Sequence, residues 1–223
     1  MKNSKHTILY IHGMGGGADS RIPSILNDYF SYSDVSRSQP ECEPLSIKVI
    51  CRTYSFDPEV AHAQIESWIE ECQPDLIIGE SLGSLHALRI YDRPVILVSP
   101  ALNTPFFFRI LSWLTWVPGV SRLFKRIYRP REGDRQTMCF TRSVLKKYRA
   151  HGALALQFLQ NSSCSLHAFF GTRDHYRRSG VVSVRRWKNL FGNTFTLYDG
   201  THFMEEEYIY SLLVPKICEI LPR

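Results

Sequence analysis

Three side chains in this sequence have the types needed for nucleophilic chemistry: Ser81, Asp174 and His202. Ser81 sits in Gly79-Glu80-Ser81-Leu82-Gly83, directly after the aliphatic run Leu76-Ile77-Ile78 and directly before a helical pattern from Ser84 to Tyr91. A serine at so tight a strand-to-helix turn adopts a strained backbone conformation, and the glycines two residues before and after it let strand and helix approach. The turn lifts the hydroxyl above the strand ends and aims the first N–H groups of the new helix at whatever the serine attacks. A hydroxyl is a weak nucleophile at its own pKa, so Ser81 needs a base, and the base needs an orienting acid. His202, in the loop Asp199-Gly200-Thr201-His202, is the candidate base. Asp174, in Gly171-Thr172-Arg173-Asp174, is the candidate acid.

The elements that must position these residues follow from the hydrophobic pattern. Thr7 to Ile11, Leu45 to Cys51, Leu76 to Ile78, Pro94 to Val98, Ser165 to Gly171 and Thr194 to Tyr198 read as strands. Several are continuous aliphatic runs, as expected for strands buried on both faces of a parallel sheet. Helical patterns alternate with them: Ser20 to Phe30, Pro58 to Cys72 with Asp57 placed to cap it, Ser84 to Tyr91, Gly180 to Leu190 and Glu205 to Leu221. Ser31 to Pro44 reads as a loop. Such alternation predicts an α/β fold, a three-layer α/β/α sandwich on a mostly parallel six-stranded sheet. Residues 1–223 form one domain in this reading, and residues 103–160, which hold no clear strand, form a helical insertion. The three candidates then project from the carboxyl ends of the strands, where ligands collect in open α/β sheets.

Other residues have plainer readings. Gly13-Met14-Gly15-Gly16-Gly17-Ala18 matches the dinucleotide-binding pattern. That pattern needs an acid at the end of the second strand, and Cys51-Arg52 supplies none. His12 reads as a structural support of this loop, and His86 and His167 as packed, hydrogen-bonded side chains inside a helix and a strand. Glu80 could tune the site electrostatically.

The strand, G-x-S-x-G, helix unit with Asp174 and His202 in that order resembles the α/β-hydrolase superfamily, and in size and layout its small bacterial esterase-like serine hydrolases. The likeness runs from Thr7 to Leu221 and lacks the opening hairpin of larger members. It implies strand order 2-1-3-4-5-6, Ser81 as nucleophile, His202 as base and Asp174 as acid. It also implies an oxyanion hole from the backbone N–H groups of Met14 and Leu82. The implied activity is cleavage of a small-molecule carboxylic ester or thioester, with no metal and no organic cofactor. Transfer of the acyl group to an alcohol, or a non-catalytic binding protein on the same fold, are the alternatives.

The insertion corresponds to the cap or lid of that superfamily. Its aromatic start, with Phe106, Phe107, Phe108, Trp113 and Trp116, is expected to pack over the site, and Phe106, Phe107, Trp113 and Trp116 are the substrate-binding candidates. Arg122, Lys125, Arg126, Arg129 and Arg131 follow and hold much of a net charge of +6. They point to an anionic portion of the substrate or to peripheral contact with an anionic membrane surface. No nucleic-acid module accompanies the charge, so no nucleic acid is expected as a partner. The 223 residues are 44% hydrophobic and 22% charged, an ordinary globular composition. Six scattered cysteines without C-x-x-C spacing and an N-terminal apolar run too short for a signal core point to the cytoplasm.

Overall fold

The computed structural model describes residues 5–32, 46–117, 119–127 and 133–221. Six strands form one parallel sheet in the order β2-β1-β3-β4-β5-β6, the order the family resemblance implies. They are β1 (Lys5–Ile11), β2 (Ser46–Cys51), β3 (Leu76–Glu80), β4 (Val95–Val98), β5 (Leu166–Gly171) and β6 (Phe195–Tyr198). Alternate residues feed two separate cores. Leu9, Ile11, Ile77, Val95, Leu97 and Phe170 pack on one face, and Ile8, Tyr10, Leu76, Ile78, Ile96 and Phe169 on the other. That two-sided burial is why the central strands lack polar positions.

The first face is covered by α2 (Pro58–Cys72), the short α3 (Gly83–Ala87), α4 (Thr104–Leu114), α6 (Arg142–Ala155) and α9 (Val184–Phe191). The second is covered by α1 (Arg21–Tyr32) and the closing helical segment. α5 (Val120–Ile127) and α7 (Phe158–Asn161) complete the stretch between β4 and β5, and α8 (His175–Ser179) follows β5. The Asp57 side chain caps α2 by accepting from the Glu59 N–H.

Three helices depart from the sequence expectation. The helix after Ser81 ends at Ala87 rather than Tyr91, because its last turn tightens into bonds from Arg89 N–H to His86 and from Ile90 N–H to Ala87. The chain then straightens into Pro94, which disfavours helix in the residue before it. Gly180 does not open a helix. It sits at φ +81 and terminates α8, an element the sequence did not announce, and α9 starts after Ser183, whose side chain accepts from Arg186 N–H. The closing helix is interrupted: α10 (Glu206–Tyr208) widens into a π turn over Ile209–Leu213 before α11 (Val214–Ile220). Pro215 lacks an N–H, and the wider turn accommodates that loss just ahead of it. The expected loop over residues 31–44 and the basic residues Arg129 and Arg131 fall mostly or wholly outside the described residues. Among the described residues no helix is long and apolar enough to cross a membrane.

One feature of the first core is polar. His12, His86 and His151 are buried together with Tyr54 and Tyr148, with His86 4.4 Å from His151 and Tyr54 stacked 4.3 Å from His12. Burial holds His12 down to about 4, His151 down to about 3, and His86 well below the usual imidazole range. All three are therefore neutral in the fold and take up protons on unfolding. Their stabilisation is complete above an unfolded-state pKa of about 6.5 and is lost as pH falls from there toward the folded values. The unfolding free energy, measured by urea titration, is expected to drop by roughly 2 kcal/mol per buried histidine between about pH 7.5 and about pH 5. An unchanged value over that interval contradicts the neutral, buried state.

Candidate active site

The parallel register brings the strand ends level. Ile11 pairs with Gly79, Glu80 with Val98 and Gly171 with Tyr198. The loops that leave these ends therefore meet at one edge of the sheet. Ser81 follows β3 with φ +49, a left-handed conformation disfavoured for a residue with a side chain. Its backbone is fixed on both sides: the Ser81 N–H donates to Val98 O at 2.9 Å, and its carbonyl accepts from Ala101 N–H at 3.1 Å. Gly83 sits against β1. A Cβ there would meet the Ile11 carbonyl oxygen at 2.3 Å and that of His12 at 2.5 Å, and one at Gly79 would meet Ala87 Cβ at 2.8 Å. Any side chain at either position pushes the turn away from its neighbours.

Asp174 leaves the end of β5 as the cap of α8. Its Oδ1 accepts from Tyr176 N–H at 2.7 Å, which leaves Oδ2 for His202 Nδ1 at 2.8 Å. His202 leaves the end of β6, and its Nε2 lies 2.9 Å from Ser81 Oγ. Asp174 and His202 are 2% and 3% exposed, so the pair is shut from bulk water. A carboxylate only accepts, which assigns the proton to Nδ1 and leaves Nε2 to accept from the serine hydroxyl. The loop is held at its base, where the Glu205 carboxylate accepts from Thr201 N–H at 3.0 Å and the Tyr198 hydroxyl donates to Thr201 O. Chemically, the arrangement can withdraw a proton from a hydroxyl and hold the resulting imidazolium against a fixed anion.

Ser81 and His202 open onto a cavity of about 490 Å³ that Met14 and Leu82 also line. Neither the Met14 nor the Leu82 N–H donates a hydrogen bond within the described residues. Phe107 lines this cavity. Phe106 does not, and it faces a second depression; Trp113 and Trp116 are 72% and 64% exposed and line neither. Phe108, expected over the site but not counted among the substrate-binding candidates, lines the cavity, and Tyr176 and Phe203, which sequence reasoning missed, complete the apolar wall, with the Tyr176 ring 4.5 Å and the Phe203 ring 5.2 Å from that of His202. The closeness of Tyr176 to Asp174 and of Phe203 to His202 in the chain was the available signal. Glu80 lies beside the serine and accepts the Tyr10 hydroxyl at 2.7 Å; burial raises its pKa against the opposing pull of that bond. Among the described residues no three His, Cys, Asp or Glu side chains are placed to share a metal ion.

The glycine loop before α1 is held in place from outside. His12 donates from Nδ1 to the Gly13 carbonyl at 2.7 Å, and the Tyr54 hydroxyl donates to the His12 carbonyl. Gln136, 1% exposed, straps the loop down. Its backbone N–H donates to Gly16 O at 2.7 Å, its Oε1 accepts from Gly15 N–H at 3.1 Å, and its Nε2 donates to Tyr54 O at 3.2 Å. No sequence pattern marks this residue. Gln136→Ala leaves buried loop groups unsatisfied, and urea unfolding is expected to show a loss of about 1–3 kcal/mol. A loss within experimental error contradicts the strapping role.

No family model and no curated protein sequence matches the chain. Solved structures do. A monoacylglycerol lipase of Paleococcus ferrophilus superposes with TM-score 0.61 at 16% identity, covering 96% of this chain and 93% of that one. Est1E of Butyrivibrio proteoclasticus, solved with ferulic acid bound, gives 0.57 at 13% identity over 96% of this chain and 90% of that one. An alpha/beta hydrolase, GrgF, of a Penicillium species gives 0.57 at 10% identity over 98% of this chain and 88% of that one. At these identities the likeness is one of fold, and with a six-stranded parallel sheet and flanking helices matched over nearly the whole length, this chain has the α/β-hydrolase fold.

Proposed function

We propose that the protein is a serine hydrolase that cleaves a carboxylic ester or thioester through an acyl-enzyme. The observation that carries this reading is the unbroken run of two hydrogen bonds from Ser81 Oγ to His202 Nε2 to Asp174 Oδ2, at 2.9 and 2.8 Å. Ser81 Oγ bonds to the substrate carbonyl carbon as its proton passes to His202 Nε2. The Met14 and Leu82 amides hold the oxyanion that forms, and Asp174 holds the imidazolium. Collapse breaks the bond to the leaving oxygen or sulfur, which takes the proton from Nε2. Water then attacks the acyl-enzyme with His202 as base, returning the serine and releasing the acid. Residues 103–160 act as a cap within a single domain. Phe107, Phe108 and Tyr176 give the acyl or aryl group an apolar wall. Cys51, Cys72, Cys139 and Cys164 carry free thiols, which fits a reducing, cytoplasmic setting.

We also infer that the outer face of the cap rests on an anionic membrane. Phe106, Ile110, Trp113, Leu114 and Val117 form a stripe at helical spacing, yet each is about half exposed or more. Arg109 on the same helix and Arg122 and Arg126 on α5 are exposed, and no Asp or Glu occurs between Asp92 and Glu132. Exposed tryptophans with basic neighbours and no acids suit an interfacial site on anionic lipid.

Nitrophenyl esters and acyl thioesters of graded chain length provide the activity assay. Ser81→Ala and Asp174→Asn are each expected to lower kcat by roughly 10⁴-fold or more with little change in KM. Wild-type rates in Ser81→Ala would contradict the reading. For the membrane face, sedimentation with phosphatidylserine-containing vesicles is expected to capture the protein, and phosphatidylcholine vesicles are not. The double substitution Trp113→Ser and Trp116→Ser is expected to cut capture by about tenfold or more. Equal capture by both lipids contradicts the electrostatic half of that inference.

A further inference from the structure

The segment from Ala101 to Arg109 has two working faces. Ala101, Thr104, Phe107 and Phe108 line the cavity at Ser81, while Leu102, Pro105, Phe106 and Arg109 line a second groove of about 300 Å³. The floor of this groove is apolar and tightly closed. A Cβ on Gly152 of α6 would meet Pro105 Cγ at 2.5 Å, so α4 and α6 touch there with no room for a side chain.

Three arginines from three different helices line this groove: Arg109 of α4, Arg149 of α6 and Arg186 of α9. Among the described residues no carboxylate lines the groove. Elsewhere arginines find acids, as Arg52 does with Glu71, Arg135 with Asp19 and Arg173 with Asp199. These three do not. Arg109 lies over the Phe106 ring at 5.3 Å, Arg186 donates to the Asn103 side chain, and Arg149 has no hydrogen bond or ion pair among the described residues. Three like charges on one small concave surface repel one another unless an anion sits between them.

We propose that this groove binds the phosphate of a small phosphomonoester. The planar fork of arginine matches phosphate oxygens two at a time, and a monoester presents three free oxygens and close to two negative charges at neutral pH. A carboxylate offers two oxygens and one charge, which leaves the trio under-compensated. Leu102, Pro105 and Leu156 receive the organic part of the ligand. Asn103 ties this segment to the wall of the other cavity, donating from Nδ2 to Gly180 O at 2.6 Å beside Val181. The bound phosphate therefore braces the wall that faces Ser81. The binding claim itself does not rest on the hydrolase reading and is tested without substrate turnover.

Isothermal titration of the full chain with butyl phosphate at constant ionic strength, with butyrate as the competing chemistry, provides the test. Butyl phosphate is expected to bind at least about tenfold more tightly than butyrate. Arg149→Gln, at an exposed residue without partners, is expected to keep the wild-type thermal midpoint and to weaken butyl phosphate by about tenfold or more, and adding Arg186→Gln to abolish binding. Inorganic phosphate and vesicles containing phosphatidic acid separate the sources. Binding of soluble butyl phosphate that depends on Arg149 assigns a free phosphomonoester, and Arg149-dependent binding confined to the vesicles assigns a lipid headgroup. Measurable but equal affinities for butyl phosphate and butyrate, no Arg149 dependence in either format, or no binding in either format overturns the proposal.

Discussion

The left-handed turn at Ser81 is held by three neighbours at once. Its N–H is taken by β4 through Val98, its carbonyl by the segment after β4 through Ala101, and its following glycine is pressed against the carbonyls of Ile11 and His12 at the end of β1. A conformation that costs on the order of 1–3 kcal/mol persists only where its surroundings over-determine it. Here the surroundings are the ends of the three central strands, so the position of the serine is a property of the whole sheet. The same contact lets the glycine loop at Met14 and the helix start at Leu82 approach each other, because Gly83 brings β1 to the turn.

The polar groups beneath the site obey the same logic. His12, Tyr54, His86, Tyr148 and His151 form a buried aromatic cluster behind the glycine loop, and burial keeps its imidazoles neutral. A neutral imidazole under that loop adds no competing positive charge near His202. The histidines at and beneath the site are thus of two kinds: His12, His86 and His151, packed and held neutral by burial, and His202, whose two ring nitrogens are both committed to the serine and the aspartate.

Much of this architecture was legible in the sequence because it rests on short-range pattern. Continuous aliphatic runs marked the strands, and Asp57-Pro58 marked the start of α2. Ser81, Asp174 and His202 could be picked out because each follows a recognisable strand by a few residues. What was not legible depends on distant contacts or on the handedness of one residue. Gly180 reads equally as a helix start or a stop, and only its positive φ decides. The aromatic run Phe106-Phe107-Phe108 is spread around a helix at about 100° per residue, so its members face the second groove, the cavity and the core in turn. The stripe from Phe106 through Ile110 to Trp113 has the spacing of a core face and lies outside. Gln136 and the arginines of the groove come from segments far apart in the chain, and no local pattern announces them.

The central claim is that Ser81 becomes a covalent nucleophile under the control of His202 and Asp174. The most direct measurement is peptide mass mapping of the intact protein after reaction with a fluorophosphonate. One adduct is expected, on the peptide holding Ser81, formed far more slowly in His202→Ala and absent in Ser81→Ala. No adduct, or an adduct on another residue, would contradict it.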